Sequence, residues 1–393
     1  MPEKAPLIAV QSKCYRFTEQ SEEQNVEALE RILRAQDSTE PVEITRPEDV
    51  MLNRRGRIQG RFRLTSIGLS QLCSSLGPGL AQLVGNVAGL RRKETEDDDW
   101  KAYSPLLAIK QINDLVRLRF KHRLEGHGLI MDMRNQRVEG VVGPRYKFIS
   151  NLELFERAGE FIREMSPAPR FVEASLAGRR LTIRYRDVER LFSAAAGSRR
   201  EPFFRGWHFS NSEIGDCSVR TGMLIFRQWR KTSSLLSVGR LVHRKGGDFG
   251  PKISDLFQKL QRQADVEAQE HDFESLVAEL QEESLHLGGD PVAHVRKSQS
   301  LIGRLARARL TKITAKKTLH HALANGSLRT HRLAVDRGPV YDAPDPDLLG
   351  AFQQRNLYDL YNALTEVARE LPPEQQEIAE ELAYRILIRR FKL

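Results

Sequence analysis

Residues 171–192 read FVEASLAGRRLTIRYRDVERLF, and residues 206–228 read GWHFSNSEIGDCSVRTGMLIFRQ. In the first stretch Gly178 is a turn between two strands, and Ile183 and Tyr185 alternate with Arg184 and Arg186, so that the arginines share one strand face. In the second, a strand near Trp207 to Ser210 and another at Ser218 to Arg227 flank a turn at Ile214 to Asp216. A loop containing Gly197 and Pro202 separates them. Consecutive hairpins of this kind predict antiparallel strands at the centre of the chain.

Working outward, GLIMDMRNQRVEGVV predicts another hairpin: strand Leu129 to Met133, turn Arg134 to Gln136, strand Arg137 to Val142. Helices are expected at Glu22 to Ala35, Ser66 to Gly77, Ser104 to His122 and Asn151 to Glu164, each with apolar residues at helical spacing. Asn151 is the expected N-cap of the last. RRGRIQGRFRLT, Arg54 to Thr65, alternates Ile58, Phe62 and Leu64 with arginine. Beyond Gly250 the pattern is helical: an acidic stretch from Ile253 to Leu285, a basic one from Pro291 to Leu323, and a hairpin of helices at 348–369 and 374–391. The fold class expected is α+β, with a helical N-terminal part, a central antiparallel β-hairpin region and a helical C-terminal unit. The corresponding segments are 1–100, 101–250, 251–336 and 337–393.

The chain has 393 residues, 40% hydrophobic and 29% charged, which is the composition of a folded protein. No apolar run approaches the roughly 18–20 residues of a membrane span. The N-terminus shows no secretory pattern, so a cytoplasmic location without a membrane partner is expected. Cys14, Cys73 and Cys217 lie far apart, with no CxxC or Cys/His spacing for zinc. Net charge is +10 and unevenly spread. Arg179 to Lys245 holds 15 bases against 5 acids, and His286 to Arg332 holds 10 bases against one acid. Pro251 to Leu285 holds 3 bases against 9 acids. Such segregation attracts polyanions, or else neutralises itself across the fold. The basic helix around Arg304, Arg307 and Lys316 can meet nucleic acid, or answer the acidic helix before it.

Phosphates are held by Arg and Lys, and unpaired bases stack on aromatic rings. Cations and rings interleave at Arg145-Tyr146-Lys147, Arg184-Tyr185-Arg186, Phe203-Phe204-Arg205-Gly206-Trp207 and Phe226-Arg227-Gln228-Trp229-Arg230-Lys231. Arg145, Tyr146, Lys147, Arg184, Arg186, Arg227, Arg230 and Lys231 are therefore the expected nucleic-acid contacts. The segment NSEIGDCS supports two readings. Glu213 and Asp216, with His208 nearby, are catalytic candidates as acid and base or as metal ligands. Alternatively Asn211 and Ser212 cap a turn, Gly215 takes positive φ, and Glu213 pairs with an arginine. His320, His321 and His331 have no carboxylate or cysteine at ligand spacing. No GxxxxGK[ST], GxGxxG after a strand, HExxH or GxSxG is present, which argues against nucleotide hydrolysis and dinucleotide chemistry. No metal or cofactor is expected.

Four stretches carry a family resemblance: SIGLSQLCSSLG (66–77), VEGVVGPRYKFISNLELFE (138–156), the 206–228 segment and LYDLYNALTEVARELP (357–372). Together they resemble the phage/plasmid-like protein family called domain of unknown function nine-three-two. Ser210-Asn211-Ser212-Glu213 with Gly215 is the most specific element. After Arg227 the chain departs from the family's cysteine-asparagine-glycine turn. The resemblance implies a mobile-element setting and no established chemistry. By analogy of fold, it is similar to RecT-type single-strand annealing proteins, which implies single-stranded DNA as partner, recombination as setting and rings or filaments as homo-oligomers. The expectation is thus a nucleic-acid-binding protein rather than an enzyme. The alternatives are a protein-interaction or anti-defence factor, and a metal-dependent nuclease at Glu213 and Asp216.

Overall fold

A computed structural model describes residues 9–10, 14–18, 22–36, 40–77, 80, 105–196, 199–228, 232–244, 249–283, 356–371 and 373–388, with seven more scattered between 300 and 318. The basic stretch 291–323 and the connector 337–346 lie almost wholly outside these residues. The fold is α+β, with helices towards both ends, beginning with α1 (Glu22–Gln36), strands in the middle and two separate sheets.

The first sheet is built by β1 (Ala9–Val10), β3 (Val42–Glu43), β4 (Arg57–Ile58), β5 (Phe62–Thr65), β6 (Gly128–Asp132) and β7 (Arg137–Val142). Its order is β1-β5-β7-β6-β3, with β4 also paired to β5. It is mixed: β5 runs parallel to both β1 and β7, while the other pairs are antiparallel. The alternation seen in 54–65 is realised: Ile58, Phe62 and Leu64 are buried, and the arginines between them point the other way. Thr65 ends β5 and caps α2 (Ser66–Leu76) by accepting from Gly68 N. Helices α2 and α3 (Pro105–Arg123) cover the apolar face, with Leu69, Leu72, Ile112 and Val116 in its core.

The second sheet holds β2 (Cys14–Thr18), β8 (Arg170–Ala177), β9 (Arg180–Ala196), β10 (Arg199–Ser212), β11 (Val219–Arg227) and β12 (Thr232–Leu241). It is fully antiparallel, in the order β12-β11-β10-β9-β8-β2. The loop expected around Pro202 is strand: Pro202 pairs with Ser193 within the long β9–β10 hairpin. One face is aromatic. Phe161 of α4 (Asn151–Arg163) meets Trp207 and Phe209 edge-on, and Phe257 of α5 (Phe249–Glu270) packs on Phe209. Ser150, not Asn151, caps α4, because its hydroxyl accepts from Leu152 N. The acidic stretch expected from Ile253 is interrupted at Asp272, which caps a new helix, α6 (Phe273–Glu282). The C-terminal hairpin, α7 (Leu357–Ala368) and α8 (Pro373–Leu387), packs into the same core.

The sheets do not follow the expected segment boundaries. Segment 101–250 is split between them, since β6 and β7 complete the first sheet and β8 onward form the second. The β10–β11 turn joins the two. Gln71 of α2 donates to Ile214 O and accepts from Val141 N, both at 2.8 Å, and Ile214 packs on Ile130 and Val142.

Candidate nucleic-acid interface

The residues expected to contact nucleic acid do not form one surface. Arg184 and Arg227 are corrections. Arg184 is 3% exposed and forms a two-point pair with Glu380 of α8, at 2.8 and 2.7 Å, plus a bond to Glu173. Arg227 is 1% exposed, bonds Glu201 at 2.7 Å and Asn362 of α7, and is ringed by Phe203, Tyr358 and Tyr361. Burial opposes the charge on both, yet Glu380 and Glu173 beside Arg184, and the Tyr358 phenol with Glu201 beside Arg227, hold their guanidinium pKa values above the ordinary one. Their strand face is covered by the C-terminal helices, so neither reaches a phosphate.

Arg186 is half-buried with its guanidinium over the Phe204 ring. Arg145 is exposed and Lys147 half-buried. Tyr146 is another correction: its ring stacks on His243, with centroids 5.1 Å apart, and its hydroxyl donates to Glu213 O at 2.7 Å. The face stacked on His243 is closed to a base. Tyr185, Phe203, Trp207 and Phe226 are core residues. Arg230 and Lys231 lie outside the described residues, as does Trp229.

The NSEIGDCS turn sits at the seam. Glu213 is 2% exposed, bonds the Arg179 guanidinium at 2.9 Å and accepts from Asn151 N at 2.8 Å. Asn211 donates to Ile149 O and to Asn151 Oδ1. Ser212 is buried with its carbonyl accepting from Gly215 N, and Gly215 takes φ +70° against the Tyr146 ring. Asp216 is exposed. Glu213 thus takes the structural one of its two readings: it is buried, paired with an arginine and bonded to backbone, which counts against a catalytic or metal-binding role. His208 is buried beside Glu377 of α8, at 3.5 Å, on the opposite side of the sheet from the aromatic core. Burial pushes the Cys217 thiol up to about 12, against the thiolate a nucleophile needs. Among the described residues, no group of three His, Cys, Asp or Glu could hold a metal ion. No described helix is long and apolar enough to cross a membrane.

A different set of cations does come together. Register places Arg57 opposite Arg63, and Arg63 beside Arg137, on three adjacent strands of the first sheet. Paired residues share a face and neighbouring strands lie about 4.8 Å apart, so the three form a lateral row. The row ends at Asp132, whose carboxylate is occupied by Asn135. Arg54 and Arg55 precede β4, Arg61 immediately precedes β5 and Arg134 lies in the β6–β7 turn, all exposed. Arg61 also covers the Phe62 ring at 4.6 Å. Among the described residues, none of these seven arginines has a carboxylate within ion-pair distance. The signal was present in the sequence: residues 53–65 contain five arginines and no acid. Over the longer window 179–245, by contrast, Arg179, Arg180, Arg184, Arg205, Arg220 and Arg227 are each paired with a carboxylate. No protein-family model, no curated protein and no solved structure matches the chain.

Proposed function

We propose that this protein binds nucleic acid through its phosphate backbone, using the arginines of the first sheet. The observation that carries the reading is the row Arg57, Arg63 and Arg137, flanked by Arg54, Arg55, Arg61 and Arg134 without neutralising carboxylates among the described residues. Unpaired guanidinium groups spaced along a sheet are matched to a polyanion, and fork-shaped donors suit phosphate oxygens. The large apolar side chains exposed among the described residues are aliphatic, with no aromatic ring among them. Stacking platforms are what single-strand binders use, so backbone-directed binding of a duplex is favoured over the single-stranded DNA expected from the sequence.

The test is fluorescence anisotropy with duplex and single-stranded oligonucleotides of equal length, across a salt series. Wild-type affinity falls as salt rises. Arg63→Glu with Arg137→Glu weakens binding at least about tenfold and flattens the log–log salt slope by roughly 0.9 for each phosphate no longer neutralised. A flat salt response, or unchanged affinity in the folded double variant, overturns the proposal.

A further inference from the structure

Two hairpin turns of the first sheet lie side by side. Strands β5 and β7 run parallel, with Arg63 beside Arg137. The β4–β5 turn immediately precedes β5 and the β6–β7 turn immediately precedes β7, so both turns leave the same end of the sheet. Arg63 N donates to Gln136 O at 2.9 Å, tying one hairpin to the other. Each turn holds one non-glycine residue at positive φ: Gln59 at +49° and Gln136 at +50°. Among the described residues no other non-glycine position has positive φ. Glycine or asparagine adopts this conformation at less cost, and other residues held in it cluster where ligands are contacted. Both glutamines are exposed, and neither side chain makes a hydrogen bond among the described residues. Arg57 and Arg61 flank Gln59, while Arg134 and Arg137 flank Gln136.

We infer that Gln59 and Gln136 read adenine edges in the major groove of duplex DNA, between arginines that hold the phosphates. The inference rests on the nucleic-acid reading above and adds sequence preference to it. A primary amide presents a donor and an acceptor together: its NH2 donates to adenine N7 and its oxygen accepts from adenine N6. Two strand spacings separate β4 from β7, so the two turns lie about 10 Å apart, inside one groove about 12 Å wide. That separation is roughly three base steps. The major groove of an RNA duplex is too deep and narrow for side chains, so DNA is the duplex required.

The full chain is used at low salt to select duplexes from a random-sequence DNA pool, and the preferred duplex is compared with a scrambled one by anisotropy. The selected motif contains adenine at two positions. Replacing those adenines by 7-deazaadenine, which lacks the N7 acceptor and still pairs with thymine, weakens binding at least about fivefold. Gln59→Gly with Gln136→Gly removes the preference for the motif over the scrambled duplex. Its Tm stays at or near the wild-type value because glycine suits positive φ, and its salt slope is unchanged because no phosphate contact is lost. Glutamines that merely shaped the turns would be replaced by glycine without loss of preference. Salt-dependent binding that enriches no motif, a motif without adenine, indifference to 7-deazaadenine, or a preference that survives in the double variant would each overturn the inference and leave phosphate-backbone binding standing. Absence of salt-dependent binding to any duplex overturns both.

Discussion

Arg227 has the chemistry of a phosphate contact but none of the access. Its guanidinium balances Glu201, itself 1% exposed, and the two are enclosed by Phe203, Tyr358 and Tyr361. Removing one partner of a buried pair strands the other charge, which typically costs about 3–5 kcal/mol. Arg227→Ala should therefore lower the unfolding free energy by about that amount in denaturant titrations, whereas exposed Arg63→Ala should stay within about 0.5 kcal/mol. Glu377 makes a pH-dependent counterpart. Burial works against its ionisation, but the His208 ring and the Arg180 and Arg220 guanidinium groups outweigh it and hold the carboxyl at about 2, below its ordinary 4.5. A depressed folded value means that the stabilisation is complete above the unfolded value and disappears as pH falls from about 4.5 towards 2. Unfolding curves measured down that range should show the loss in wild type and a smaller acid dependence in Glu377→Gln.

The long β9–β10 hairpin depends on one close approach. A side chain at Gly206 would put its Cβ 2.5 Å from Tyr185 O and against the Phe226 ring. Pairing between β9 and β10 is also irregular just there, between Phe203 and Gly206. Backbone cannot yield as a flexible side chain can, so Gly206→Ala should destabilise the protein by about 1–3 kcal/mol. Amide hydrogen exchange should report the change first in β9 and β10. In the first sheet the balance is reversed: β4 and β5 bury Ile58, Phe62 and Leu64 and leave their arginines outside, so charge reversal there should alter ligand binding and spare the fold.

At the scale of the molecule, the C-terminal hairpin completes the second sheet. Glu377 and Glu380 neutralise Arg180, Arg184 and Arg220 on one side of α8, while Leu382, Tyr384 and Leu387 enter the main core. Tyr384 also donates to Glu267 of α5 at 2.5 Å. A chain ended before Leu357 would expose that core and leave buried arginines uncompensated. It should be recovered as aggregate or as a species without near-ultraviolet dichroism, and not as a smaller folded protein.

Alternation and helical spacing are local properties, so the strands around Gly178, the 129–142 hairpin and the helices at 66–77 and 151–164 could be read directly. The α+β class follows from their order. Which face of a strand is wet is not local. Ile183 and Arg184 alternate just as Phe62 and Arg63 do, yet α8 arrives from almost 200 residues away and buries Arg184 against Glu380, while nothing described covers Arg63. The primary structure determined where cations and apolar residues alternate. Only the assembled molecule decided which cations meet carboxylates and which face solvent, because that depends on the partners that long-range packing brings to each face.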